Sequence, residues 1–294
     1  MDERDWLAEQ FEENRGHLRG VAYRMLGSLN DAEDAVQESW LRLSRNGAED
    51  IDNLGGWLTT VVARVCLDML RSRQSKREES LELQTGTESP VQPRAKTDPE
   101  REAVLADSVG LALLVVLDRL DPAERLAFVL HDMFDLPFEE IAGIVGRSEA
   151  AARQLASRAR RRVRGADPTT GETIGRQRRI VDAFLAALRA GDVPSLVSLL
   201  DPEFSVRADA FAAAGVPRDI HGAENWAKQA VQSARGAKFA SPALINGSVG
   251  LVIAPRGRLF RVLRLTIAGD RIAAMEVIGD PERLRQLELG VLEG

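Results

Sequence analysis

Seven arginines crowd the stretch Arg147 to Arg164, opposed by one acid, Glu149. A guanidinium is a planar fork of donors that fits phosphate oxygens and the O6/N7 edge of guanine. Gln154, Ser148 and Ser157 add side chains able to hydrogen-bond base edges. Arg147, Ser148, Glu149, Arg153, Gln154, Ser157, Arg158 and Arg161 are the candidate duplex contacts, and Arg160 to Arg162 suit phosphates. Such chemistry needs a scaffold that points these groups outward. Phe138, Ile141, Ala142 and Val145 recur at helical spacing, and Gly146-Arg147-Ser148 breaks the pattern. Ser148 can cap a second helix, whose narrow apolar stripe is Ala151, Ala152, Leu155 and Ala159. The pattern predicts a helix-turn-helix with a basic reading face. A solvated arginine-rich helix end is the plainer alternative.

The 294 residues suffice for two or three domains with real cores, and the net charge of −6 excludes a globally basic nucleic-acid coat. Any DNA contact is local. The lone Cys66 sits in an apolar helical run and is expected to be a buried, inert thiol. His17, His131 and His221 are too scattered for a structural zinc site, so no metal and no cofactor are expected. With no signal peptide and no apolar run of membrane-spanning length, a cytoplasmic location without membrane contact is expected.

Upstream of the basic stretch the periodicity is helical throughout. Residues 5–27 read as an amphipathic helix, and Asn30 or Asp31 is expected to cap a second one carrying Ala32, Ala35, Val36, Trp40 and Leu43 on one side. After a loop from Asn46 to Gly56, a third helix is predicted from Trp57 to about Arg73. Its Thr60, Arg64, Asp68, Arg71 and Arg73 occupy an arc apart from its apolar residues. Residues 76–103 read as a Pro-rich, charged linker. An apolar helix ending near Leu120 and a second begun by Asp121-Pro122 complete a helical domain over 104–165. A linker over 166–175 precedes a change of class. Residues 176–280 alternate helices, then strands at 204–208, 241–245, 248–254, 259–267 and 271–278, an α+β pattern read as an antiparallel meander. A curved sheet over helices predicts a cone with an interior pocket, for which Phe204, Asp209, His221, Trp226 and Phe260 are candidate lining residues. Residues 281–294 read as a short amphipathic tail.

Three motifs carry a family resemblance: DAEDAVQESWLRL at 31–43, GGWLTTVVARVCLDMLRSR at 55–73, and LDPAERLAFVLHDMFDLPFEEIAGIVGRSEAAARQLASRARRRV at 120–163. Together they resemble the extracytoplasmic-function (ECF) sigma factors of the sigma-70 family. Residues 176–294 are similar to the SnoaL-like, NTF2-like extension of the sigma J-like subgroup, including the tail GDPERLRQL at 279–287. The resemblance implies a multidomain chain: sigma region 2 over 1–75, sigma region 4 over 104–165, and a cone-shaped α+β domain. It implies core RNA polymerase as partner, through the β′ clamp helices and the β flap. Asp34, Gln37, Glu38, Trp40 and Arg42 are then the candidate polymerase contacts. Asn53, Trp57, Thr60, Arg64, Asp68, Arg71 and Arg73 would take the −10 element as single strand, and the helix-turn-helix would take the −35 duplex. Two departures stand out. Val65 occupies a position where many members carry Asn, and the linker at 81–93 (LELQTGTESPVQP) lacks the subgroup's WLPEP-type motif.

The C-terminal fold also hosts cyclases and isomerases, whose chemistry needs an acid/base pair in the pocket. Asp209 and His221 are the only such candidates, and the segment between them is small and apolar. No catalysis is expected. The domain is read as tuning the sigma regions in cis, by intramolecular contact or through a small ligand. A ligand-responsive helix-turn-helix regulator acting without polymerase is the alternative function.

Overall fold

The computed structural model describes residues 3–46, 51–83, 110–166, 171–232 and 234–292. The chain divides into two compact units, Met1–Glu102 with Leu117–Arg160, and Ala103–Val116 with Arg161–Gly294.

In the first unit, α1 (Glu3–Leu26), α2 (Leu29–Asn46) and α3 (Leu54–Leu83) pack together. Leu18, Val21, Ala22, Met25, Ala35, Val36, Leu43, Leu58, Val62 and Cys66 are buried among them. Ser28, and not Asn30 or Asp31, caps α2: its hydroxyl accepts the Asp31 N–H at 3.4 Å. Asn53 caps α3 by accepting from the Gly56 N–H at 3.0 Å. α3 runs ten residues past the expected end at Arg73, to Leu83. Those residues lack apolar periodicity, but Gln, Lys, Arg, Glu and Leu all extend a helix readily. The rest of the 76–103 linker, residues 84–103, lies outside the described residues.

α5 (Pro122–Phe128) starts at Asp121, whose carboxylate accepts the Ala123 N–H at 3.0 Å, and runs into a π-helical turn at Val129–Met133. α6 (Phe138–Val145) and α7 (Glu149–Arg164) form the expected helix-turn-helix. Between them Gly146 is left-handed at φ 69°, a conformation that costs glycine little. Ala152, Leu155, Ala156 and Ala159 are buried, so the small-residue stripe seats α7 closely on its neighbours.

The helix before α5 differs from expectation. α4 (Leu111–Leu117) buries Leu111, Ala112, Val115 and Val116 with Val252, Val262 and Ile278 of the C-terminal sheet and Leu284 and Leu289 of the tail. Residues 110–116 and 161–165 thus group with the C-terminal unit, not with the expected 104–165 domain. The run is apolar nearly all round, so the sequence demands burial without choosing the partner.

That unit contains α8 (Gly171–Ala190), which begins inside the expected 166–175 linker, then α9 (Val193–Leu199), α10 (Ala223–Gln232) and α11 (Pro281–Gln286). Seven strands follow the order β2-β1-β6-β5-β4-β3-β7. They are β1 (Leu200–Ala208), β2 (Arg218–His221), β3 (Ala240–Ile245), β4 (Ser248–Ile253), β5 (Arg261–Ala268), β6 (Arg271–Ile278) and β7 (Leu289–Gly290). The expected meander holds from β3 to β6. β1, however, pairs parallel to β6. Strand residues alternate between two cores: Leu244, Leu251 and Leu263 join Phe184, Phe204 and Trp226 on one face, while Ile245, Val252 and Val262 join α4 and the tail on the other. The α+β class is as expected, with both sheet faces covered. Among the described residues no helix is long and apolar enough to cross a membrane.

Candidate nucleic-acid interface

The helix-turn-helix aims its second helix as the sequence requires. Ser148 Oγ accepts the Ala151 N–H at 3.3 Å, which fixes the start of α7. Arg147, Ser148, Glu149, Arg153, Gln154, Ser157, Arg158 and Arg161 are all exposed. They are not equivalent. Arg158 Nε lies 3.1 Å from the carboxylate of Glu124, a buried residue of α5. Arg160 Nε donates to Asp132 of the π turn at 2.7 Å. These pairs tie α7 to α5 and to the π turn that follows it. Arg153 pairs with Glu149 one turn earlier and lies over the Phe138 ring, 5.4 Å from its centroid. Sequence reasoning missed Glu124, Asp132 and Phe138.

On α3 the expected arc forms a real stripe. Arg64, Asp68 and Arg71 are exposed, and Trp57 and Thr60 half-buried, at spacings of three and four residues. Arg73 is instead tied to Asp31 of α2 at 2.7 Å. Asn53 spends its side-chain oxygen on the helix cap. Val65 is buried, so it faces the core and not the stripe. Part of the preceding loop, residues 47–50, lies outside the described residues.

A groove of about 400 Å³ runs between α1 and α2. Trp40 forms part of it, its ring 5.2 Å from Phe11, together with Gln37, Val36, Glu33 and Arg15. Of the candidate polymerase contacts, Gln37 and Trp40 line this groove. Asp34 is exposed outside it, and Glu38 and Arg42 pair with each other at 2.9 Å. Phe11, Arg15 and Glu33 were not anticipated: the first two come from the neighbouring helix, and Glu33 lies one turn before Gln37 on the same face of α2.

Within this unit Arg125 is 2% exposed and donates from Nε and Nη2 to the Arg24 carbonyl near the end of α1, at 3.1 and 3.0 Å. Burial lowers its pKa to about 10, with Asp118 opposing, so it stays charged at neutral pH. A cation at a helix C-terminus meets the negative end of the dipole. Burial likewise pushes the Cys66 thiol up to about 12, the inert state expected of it. Arg64 Nη2 also reaches the Gly143 carbonyl of α6, at 3.4 Å.

The C-terminal cleft, about 640 Å³, departs most from expectation. Of the five candidate lining residues only His221 lines it. Phe204 and Trp226 meet edge to face in the core with ring centroids 5.3 Å apart, and Phe260 is exposed. Asp209 accepts the N–H groups of Ala212, Gly279 and Asp280 at 2.8, 2.9 and 3.0 Å, joining the turn after β1 to the start of the tail. Burial acts to raise its pKa, but those N–H groups and Arg283 outweigh it and hold the carboxyl below the usual range. The actual lining is polar, with Arg207, Asp219, Arg264, Thr266 and Glu276. These come from β1, β5 and β6, except Asp219, which comes with His221 from β2, a short polar strand that hydrophobic patterning does not flag. Alternation was its one signal: Asp219 and His221 share a face.

Residues 10–76 match the family Sigma-70 region 2, and residues 110–163 match Sigma-70, region 4. Over 298 aligned positions the chain is 38% identical to ECF RNA polymerase sigma factor SigJ of Mycobacterium tuberculosis (strain ATCC 25618 / H37Rv), covering 93% of this chain and 92% of that one. The probable ECF RNA polymerase sigma factor SigI of the same strain is 37% identical over 210 positions, covering 71% and 72%. Among solved structures, the crystal structure of M. tuberculosis SigJ matches at 34% identity over 94% of this chain and 98% of that one, with a TM-score of 0.45. The chain therefore belongs to the ECF RNA polymerase sigma factors, alternative sigma factors that direct core polymerase to promoters.

Proposed function

We propose that this sigma factor is closed when free and opens on core polymerase to read a bipartite promoter. The observation that carries the reading is the fastening of the two readers: Arg125 to the Arg24 carbonyl, and Arg64 to the Gly143 carbonyl. Elements centred at −10 and −35 lie about 25 base pairs apart, roughly 85 Å at 3.4 Å per base pair. Helices in hydrogen-bonding contact do not span that distance, so promoter binding must part them.

In the open state the groove around Trp40 and Gln37 docks on the β′ clamp helices. Arg64, Asp68 and Arg71 track the −10 strand, with Trp57 and Thr60 beside them. The exposed face of α7 reads the −35 duplex, and the remaining surface of the helix-turn-helix domain meets the β flap. Work alongside polymerase places the protein in the cytoplasm. The C-terminal domain tunes this in cis and turns over no substrate, since Asp209 is spent on backbone N–H groups. Its tail supports the tuning role: the Val291 N–H donates to the Val163 carbonyl at the end of α7, at 2.8 Å. A small ligand in the polar cleft is the natural effector.

The test pairs transcription in vitro with a distance measurement. Labels on cysteines placed at exposed Glu9 and Glu140 should separate when core polymerase and promoter are added, with Cys66 staying silent. Promoter-specific output without label separation would overturn the closed-state reading. Output independent of the chain would overturn the bipartite one.

A further inference from the structure

The π turn Val129–Met133 carries His131 and Asp132 in succession. Asp132 holds Arg160. The His131 ring lies 3.8 Å from the Phe138 ring at 31°, and its Nδ1 is 2.9 Å from the Leu136 carbonyl. A carbonyl only accepts, so Nδ1 carries the proton in that bond and the ring is fixed in place. Phe138 is thus held from one side of the sequence and supports Arg153 from the other. Arg153 is 62% exposed and stands in the second turn of α7. That is the part of a recognition helix which meets base edges.

We propose that Arg153 reads a guanine in the −35 element and that Phe138, backed by His131, is its positioning residue. The inference rests on the −35 reading of α7. Its physical basis is preorganisation: the Phe138 face and the Glu149 carboxylate restrict a long, rotamer-rich side chain before DNA arrives, and the guanidinium takes O6 and N7 by exchanging exposed Glu149 for the base. Arg158 and Arg160 are tied instead to acids outside α7, Glu124 and Asp132, which are 7% and 24% exposed against 48% for Glu149.

The test is transcription by the full chain with core polymerase from a promoter library randomised over the −35 element. The wild type should prefer guanine at one position. Arg153→Ala should lose about 5–150-fold of that preference, the range for a bidentate base contact. Phe138→Leu should lose part of it at the same position, whereas Phe138→Tyr, which keeps the aromatic face, should retain it. Base preference is a ratio measured within one protein, so a smaller folded fraction cancels. An even loss over all sequences in Arg153→Ala would make Arg153 a phosphate contact and overturn the assignment. Equal loss in Phe138→Leu and Phe138→Tyr would overturn the positioning role. A wild type indifferent to the whole −35 library would instead remove the −35 reading itself.

Discussion

Arginine serves opposite ends in the two units. In the first, Arg125 is sealed inside and spends its donors on a helix-end carbonyl. In the second, Arg207 and Arg264 lie across an open cleft, paired with Asp219 at 3.5 Å and Glu276 at 3.1 Å. The distances are similar, but the surroundings are not. A buried charge that loses its partner is stranded in low dielectric, whereas an exposed one exchanges its partner for water. Charge is therefore a joint in the sigma regions and a tunable surface in the C-terminal cleft.

The largest break in that comparison should come from Arg125→Ala. It leaves a cavity and an unsatisfied Arg24 carbonyl, at a cost of about 3–5 kcal/mol to the first unit. Trp6, Trp40 and Trp57 lie in that unit and only Trp226 in the other, so urea unfolding followed by tryptophan emission reports mainly on it. Cys66 gives an independent readout. Its thiol, pushed up to about 12, should resist alkylation at pH 8.5 in the wild type and react faster in the variant. An unshifted urea midpoint with unchanged alkylation would mean that Arg125 is not a joint.

Asp209→Asn should come next. The amide keeps one acceptor oxygen but loses the charge that three N–H groups and Arg283 recognise, for a loss of about 1–2 kcal/mol in anchoring the tail. The same anchor sets a pH dependence. Because the folded carboxyl sits below its ordinary value near 4, its contribution is full above about pH 4 and is lost as pH falls through the lower folded value. Hydrogen exchange at Gly279 and Asp280 should accelerate across that acidic window in the wild type. Asp209→Asn should exchange fast throughout. Identical profiles would show that the carboxylate does not hold the tail.

Legibility divides along the same line. The helix-turn-helix could be read because its signals are local: helical spacing in Phe138 to Val145, a left-handed glycine and a serine cap. The α3 stripe was legible for the same reason. Ion pairs were not, since Arg158 with Glu124 and Arg73 with Asp31 join residues far apart in sequence. α4 was legible as a helix that needs burial, but its packing against the C-terminal sheet and tail was not, because an apolar run records only that it must be buried. The cleft was the least legible. Aromatic residues were expected to line it, but Phe204 and Trp226 belong to the core, and the lining charges are spread over β1, β2, β5 and β6, of which β2 has no hydrophobic signature. Family membership also removes the polymerase-independent regulator, which helix patterns alone left open.

The smallest effect is the sharpest test of what exposure decides. Arg207 and Asp219 face each other across β1 and β2 with side chains 80% and 61% exposed. Exposed pairs of this kind contribute between nothing and about 1 kcal/mol, because water replaces either partner and salt screens the rest. Asp219→Asn and Arg207→Gln should each shift unfolding of the second unit by less than about 0.5 kcal/mol, and the double change should add no coupling. Emission from Trp226, in a background with the other three tryptophans replaced by phenylalanine, isolates that unit. A coupling above about 1 kcal/mol would mean that the cleft is dry enough for its charges to act as joints. In that case a polar ligand would have to break a structural bond to enter. A negligible coupling leaves Arg207 and Asp219 free to turn toward a ligand at little cost, as a tunable surface requires.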